Sequence, residues 1–390
     1  MTDYFEKSLI MHQQVRGKIG IHNKIPIGSR DDLSLAYTPG VARPCEVIAA
    51  DKDEAYKLTL KGNSVAVISD GSAVLGLGDI GPLASLPVME GKALLFREFA
   101  KIDAWPICLD TKDPAKIIET CRIIAPSFGG INLEDISAPR CFEIEDALQD
   151  LGIPVFHDDQ HGTAIVLLAG LINSARVVDK KISELRVVIN GAGAAGTAIA
   201  KLLSGVGVAK TSVEPVADVL ICDSRGIISR DREDINAAKT ELLEFSNMSD
   251  VRGTLQDALR DADVFIGVSK GNLLNARDIS VMNENSIIFG MANPVPEIMP
   301  EEAARGGAAV IGTGRSDFPN QVNNVLVFPG IFRGALDARS PAITSEMKIA
   351  AALALANSVE TPSADMILPH PLDRTVAPEI AKHVRAAARS

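Results

Sequence analysis

The run Leu185-Arg-Val-Val-Ile-Asn190 leads without a break into Gly191-Ala-Gly-Ala-Ala-Gly196, and the apolar stretch Thr197 to Leu203 follows directly. An unbroken Val/Ile run reads as a strand buried on both faces, and few folds place three glycines between such a strand and a helix. The first glycine makes the tight turn, the second lets backbone N–H groups approach a pyrophosphate, and the third permits close packing of helix on strand. The helix N-terminus then offers its partial positive charge to the phosphates. Gly191, Gly193, Ala194, Ala195 and Gly196 are therefore candidate dinucleotide contacts. Further runs at Val219 to Cys222, Val264 to Val268, Ile287 to Phe289 and Ala309 to Ile311 alternate with helical stretches. That alternation predicts a doubly wound parallel sheet of the Rossmann type.

An acidic residue is expected where the second strand of such a sheet ends. Asp223 stands there, further downstream than the roughly 20 residues that are usual, with Ser224 and Arg225 beside it. Aspartate suits the free ribose hydroxyls of NAD, whereas arginine can pair with the 2′-phosphate of NADP. The reading leans to NADP on account of Arg225 and leaves NAD open.

Upstream, strand-like runs at Ser64 to Ser69, Trp105 to Leu109 and Ile153 to Phe156 flank helical stretches at Met89 to Ile102 and Pro114 to Ile124. They predict a separate N-terminal α/β domain over residues 1–160, with the Rossmann-type domain and a Pro-rich, then helical, tail over 161–390. Two acidic pairs fall at predicted strand exits in this half, in Asn132-Leu-Glu-Asp-Ile136 and in Phe156-His-Asp-Asp-Gln-His-Gly-Thr-Ala164. They are either solvated loops or the oxygen donors of a hard cation, Mg²⁺ or Mn²⁺. The helical stripe Leu95, Phe96, Phe99, Ile102 projects back to Lys92, which either snorkels to water or is desolvated as a proton acceptor.

Composition narrows the function classes. A net charge of −11 with no basic block argues against nucleic-acid binding. Five scattered cysteines form neither a disulfide framework nor a zinc pattern. The longest apolar run, about Ala164 to Ile172, is far shorter than the roughly 20 residues of a membrane span, and the start has no signal core, so a cytoplasmic protein is expected.

Ala36-Tyr-Thr-Pro-Gly-Val-Ala42, Asp70-Gly-Ser-Ala-Val-Leu-Gly-Leu-Gly-Asp-Ile-Gly81, Glu90-Gly-Lys-Ala93, Leu133-Glu-Asp135, Phe156 to Ala164, Met291-Ala-Asn-Pro294 and Asn323-Asn-Val-Leu-Val-Phe-Pro-Gly330 occur in that order. Together they resemble the motifs of the malic enzymes, in their compact prokaryotic form, over about residues 15 to 340. The resemblance implies oxidative decarboxylation of L-malate to pyruvate and carbon dioxide by a homodimer or larger homo-oligomer. By the same resemblance Tyr37 is the general acid, Lys92 the general base and Asp158 the carboxylate that orients it. Glu134, Asp135 and Asp159 match the metal ligands, and Asn293 and Asn324 match residues that hold the substrate's carboxylates. Larger members carry an arginine before GLGD that clamps a carboxylate; here that segment is Ser72-Ala-Val-Leu75. Alternative readings are a 2-hydroxy acid dehydrogenase that does not decarboxylate, a lyase-like member that retains its cofactor, or a dinucleotide sensor. A sensor predicts loss of Lys92, Tyr37 or a carboxylate, and all are present.

Overall fold

Short runs of β-branched and aromatic residues supply nearly all the strands. The computed structural model describes residues 4–74, 76–207 and 213–389; Leu75 of the segment before GLGD lies outside them. β1 (Ser64–Ser69), β2 (Asp103–Cys108), β3 (Gly130–Leu133) and β4 (Val155–His157) form a parallel sheet in the order β2-β1-β3-β4. β5 (Arg186–Asn190), β6 (Asp218–Asp223), β7 (Gly226–Ile227), β8 (Val264–Gly267), β9 (Ile287–Gly290) and β10 (Val310–Thr313) form a second sheet, β10-β9-β8-β5-β6-β7, in which β7 alone is antiparallel. The expected α/β architecture with a Rossmann-type sheet is present. The sequence reading expected a strand exit before Glu134 but gave no run for β3, because four residues interrupted by Asn132 make no recognisable apolar run, and it gave none for the two-residue β7.

Each sheet reverses direction of growth at one place, between β1 and β3 in the first and between β5 and β8 in the second. Crevices at the carboxyl ends of strands beside such reversals are where open α/β sheets bind ligands.

Six helices matter for the site: α1 (Gly81–Ala100), α2 (Asp158–Val177), α3 (Ala194–Leu203), α4 (Phe328–Ala338), α5 (Ser345–Asn357) and α6 (Val376–Ala387). α1 starts well before the expected Met89, with proline in its first turn, where the missing N–H costs nothing. Its buried face is Ser85, Met89, Lys92, Ala93, Phe96 and Ala100, rotated from the expected stripe so that Leu95 and Phe99 are only half-buried. α2 leaves β4 and is buried along most of its length.

α4 follows the second sheet in the chain yet closes on the first. Phe328 meets Phe96 edge-on at 4.8 Å, and Phe332 meets Phe96 at 5.3 Å and Phe156 at 5.8 Å. These rings are fully buried, so the aromatic cluster fastens α1, β4 and α4 together.

The first fifty residues behave differently. Helices Tyr4–Val15, Arg30–Ala36 and Ala42–Ala50 bury no residue, and fourteen of the twenty-four exposed large apolar side chains among the described residues fall between Tyr4 and Val41.

Truncating Phe332 to alanine removes the ring that touches both Phe96 and Phe156. Phe332→Ala is expected to cost about 3–5 kcal/mol in a urea titration; a loss below about 1 kcal/mol would show that α4 is not fastened by this cluster.

Candidate active site

The carboxyl ends of β3 and β4 deliver four acidic residues to one crevice. Glu134 and Asp135 follow β3, and Asp158 and Asp159 begin α2 directly after β4. Asp135 adopts the left-handed conformation at φ 53°, which aspartate tolerates better than most residues. Its N–H donates to Asp159 Oδ2 at 2.8 Å. One carboxylate oxygen from each of Glu134, Asp135 and Asp159 can be chosen so that all three lie within 4.8 Å of one another.

Lys92 enters the same crevice from α1. Only 8% exposed, it does not snorkel to water. Its Nζ lies 2.6 Å from Asp158 Oδ2 and 2.8 Å from Glu134 Oε1, above the Phe328 ring at 4.2 Å from the centroid. Asn324 donates to the same Asp158 oxygen at 2.6 Å, and Asn132 donates to Glu134 Oε2 at 2.9 Å.

Four carboxylates gather around one ammonium, three of them buried and Asp159 partly exposed. Burial, then repulsion from Asp159 and Glu134, pushes the Asp135 carboxyl up to about 9. Burial raises Asp158 to about 7 and Asp159 to about 6, and raises Glu134 as well, against the pull of Lys92. Burial alone would lower Lys92, but Asp158 and Glu134 outweigh it and hold the ammonium above its ordinary value. Desolvation therefore does not by itself yield a neutral amine.

The donor set fits a hard divalent cation. All its donors are carboxylate oxygens, and Asp135 Oδ2 is buried with no hydrogen-bond partner. The glycine turn fits a pyrophosphate equally well. Gly191 has φ 129°, and a Cβ on Gly196 would fall 1.8 Å from the Gly191 carbonyl oxygen, so backbone alone lines the turn. A cleft of about 900 Å³ runs from Gly193 and Thr197 of this turn to Gln160 and His161, one turn beyond Asp158 in α2.

Not every expected residue is gathered here. Tyr37 lies on the N-terminal arm, 68% exposed, and its hydroxyl has no hydrogen-bond partner among the described residues. Asn293 donates to its own Met291 carbonyl at 3.3 Å. Asp223 ends β6 as expected, but Arg225 turns away to Asp234 at 2.9 Å and is largely exposed.

Three contributors escaped the sequence reading. Glu145 is buried and accepts from His157 N, Gln160 Nε2 and His161 Nε2, each at 3.1 Å, which fixes the first turn of α2. Gly162 leaves room for Asp158, since a Cβ there would fall 1.9 Å from Asp158 Oδ1. Arg140 donates to Asp70 Oδ2 and Ser72 Oγ at 2.9 Å, so the segment that lacks the expected arginine has one beside it from the helix Arg140–Ala147. Glu145 and Arg140 sit in mixed-charge stretches with no local signal, whereas Gly162 could be found by asking why a helix should carry a glycine four residues after its first aspartate.

A Rossmann-type unit whose phosphate turn opens into a cleft reaching Gln160 and His161, in the helix that Asp158 and Asp159 begin, has the layout of a nucleotide-dependent oxidoreductase. Comparison with known proteins makes this specific. Residues 160–389 match the family model for the malic enzyme NAD-binding domain, and residues 16–116 match that for the malic enzyme N-terminal domain. The bifunctional malic/malolactic enzyme of Bacillus subtilis is 54% identical over 98% of this chain and 92% of its own length. The NAD-dependent malic enzyme of Geobacillus stearothermophilus is 56% identical over 91% of this chain and 72% of its own. Other bacterial relatives are named NADP-dependent malic enzymes. The crystal structure of the malic enzyme from Pyrococcus horikoshii superposes with a TM-score of 0.93 at 49% identity, covering 98% of this chain and 90% of that one. The chain belongs to the malic enzyme family.

Metal-free protein should lose stability as pH rises. Asp135 binds its proton more tightly folded than unfolded, so stability falls from near pH 4, where the unfolded carboxyl ionises, to about pH 9 and then levels off. Asp135→Asn is expected to flatten this decline and to abolish the rise in melting temperature that Mn²⁺ gives the parent protein. A variant that keeps the full Mn²⁺ shift would remove Asp135 from the donor set.

Proposed function

We propose that this protein oxidises L-malate to pyruvate and carbon dioxide while reducing NAD(P)⁺. The observation that carries the reading is Lys92, buried between Asp158 and Glu134, with Glu134, Asp135 and Asp159 able to offer oxygens to one cation. A divalent cation held by Glu134, Asp135 and Asp159 supplies Lewis-acid polarisation of the substrate's oxygens, and the nicotinamide supplies the hydride acceptor.

The chain's own residues move the protons. Lys92, in its neutral form, accepts the hydroxyl proton of malate as hydride leaves carbon 2 for the nicotinamide. Asp158, itself held by Asn324, keeps the amine aimed. Tyr37 donates a proton to carbon 3 of the enol left after loss of carbon dioxide. Asn293 and Asn324 are assigned to the substrate's carboxylates, and the domain boundary is placed near residue 160, where α2 leaves the first sheet.

The assembly follows from the arm. An apolar surface this extensive on residues 4–41 needs a cover, and a second copy of the chain provides one symmetrically. We assign a homodimer in which the arm lies against the partner and Tyr37 completes the partner's site.

A second reading has one observation in its favour, the malolactic activity in the name of the Bacillus subtilis relative. It would yield lactate with no net change in cofactor.

With L-malate and Mn²⁺, NAD(P)H and carbon dioxide should appear in equal amounts, and Lys92→Ala should cut the rate by roughly 10²–10⁴-fold. Lactate without NAD(P)H would establish the second reading instead. Mixing inactive Tyr37→Phe and Lys92→Ala chains under subunit exchange should restore about a quarter of the parent activity, because each mixed dimer has one intact composite site. No recovery in demonstrably mixed dimers would place Tyr37 in its own chain's site.

A further inference from the structure

Glu297 is fully buried, and among the described residues no lysine, arginine or histidine pairs with it. Withdrawing a carboxylate from water without a cation is costly unless hydrogen bonds replace its hydration. Here they come from two backbone N–H groups, Ser269 N to Oε1 at 2.8 Å and Ala292 N to Oε2 at 3.0 Å. Burial raises the carboxyl, and these N–H groups act against that rise. The Glu297 carbonyl also accepts from Leu273 N at 2.8 Å and Leu274 N at 3.0 Å, and the Pro296 carbonyl accepts from Asn272 N at 3.0 Å. One residue thus ties the loop that follows β8 to the loop that follows β9.

Glycines let these loops approach. A Cβ on Gly267, the last residue of β8, would fall 2.3 Å from Glu297 Cδ, and one on Gly271 would fall 2.4 Å from the Val295 carbonyl oxygen. The β8 loop also meets the glycine turn. Asn190 Nδ2 donates to Ser269 Oγ at 2.7 Å, and a Cβ on Gly191 would fall 2.6 Å from the Val268 carbonyl oxygen. The β9 loop carries Asn293, whose Nδ2 would lie 2.9 Å from a Cβ on Gly314, the residue after β10. The carboxyl ends of β5, β8, β9 and β10 therefore bear one connected surface, and Glu297 lies behind it.

In the order β10-β9-β8-β5-β6-β7 a dinucleotide lies across the reversal, with its pyrophosphate on the turn after β5 and one nucleotide on each half. The adenine half belongs to the β6 side, so the nicotinamide half falls to the loops after β8 and β9. We propose that Glu297 is a positioning residue for the nicotinamide half of the cofactor. Its two oxygens hold both loops as one wall against which the nicotinamide riboside is seated, and they set the segment that bears Asn293. This rests on the reading of the glycine turn as a dinucleotide site. Glutamine cannot replace it, because a single amide oxygen is left to accept and the amide's own donors face the other N–H.

Calorimetric titration of the metal-free protein with adenosine 5′-diphosphate, and with NADH or NADPH, whichever the parent binds more tightly, separates the two halves without turnover. Glu297→Gln should leave the diphosphate's affinity within about twofold and weaken the whole dinucleotide at least about tenfold. Gly267→Ala, which displaces the carboxylate without changing its charge, should give the same split. In the parent protein, amide hydrogen exchange at residues 268–274 and 291–297 should slow when the dinucleotide binds and not when the diphosphate binds, a comparison that needs no variant to fold. Equal weakening of both ligands by Glu297→Gln, unchanged dinucleotide affinity in that variant, or equal protection of the two loops by the diphosphate overturns the assignment. A parent protein that binds neither ligand overturns the dinucleotide reading and this proposal with it.

Discussion

Four carboxylates around one ammonium, all buried except the partly exposed Asp159, are the constraint around which this fold is arranged. Bringing them together is unfavourable, as the raised carboxyl groups of Asp135, Asp158 and Asp159 record. The fold makes the arrangement possible by giving each group a rigid holder. β3 and β4 aim the acids, α1 carries Lys92, and the Phe96, Phe156, Phe328 and Phe332 cluster locks these elements to α4. Asn324, shortly before α4, then reaches Asp158 from beyond the second sheet. The centre is thus assembled from segments far apart in the chain, and its own surplus charge creates the demand for a cation.

The same charge surplus joins chemistry to architecture. The first sheet's reversal between β1 and β3 opens the crevice for the carboxylates, and the second sheet's reversal between β5 and β8 opens the crevice for the glycine turn. α2 links them, since its first residues belong to the charged centre and its body packs beneath the second sheet. Glu145, by gripping His157, Gln160 and His161, sets where α2 begins and so where Asp158 and Asp159 point.

Much of this was legible in the sequence, for identifiable reasons. Strand runs such as Ser64 to Ser69 and the Gly191 to Gly196 turn announce themselves locally, because burial on both faces and close backbone approach restrict residue choice at fixed spacings. What resisted reading depends on partners distant in sequence. Helical spacing around Lys92 could not reveal Asp158, 66 positions away, and therefore could not give the direction of its shift. Spacing likewise could not show that Arg225 pairs with Asp234, nine positions on, or that Lys239 pairs with Asp223. Tyr37 carries a recognisable motif, but its place on an exposed arm is a property of tertiary structure and assembly.

The account stands on the claim that the buried charge is balanced by one divalent cation. Anomalous diffraction at the manganese edge from crystals grown with Mn²⁺ tests it directly. The predicted result is a single strong peak at about 2.1 Å from carboxylate oxygens of Glu134, Asp135 and Asp159, with Lys92 remaining on Asp158. A peak elsewhere, or an empty crevice at saturating Mn²⁺ with Lys92 still bridging Glu134 and Asp158, would contradict it.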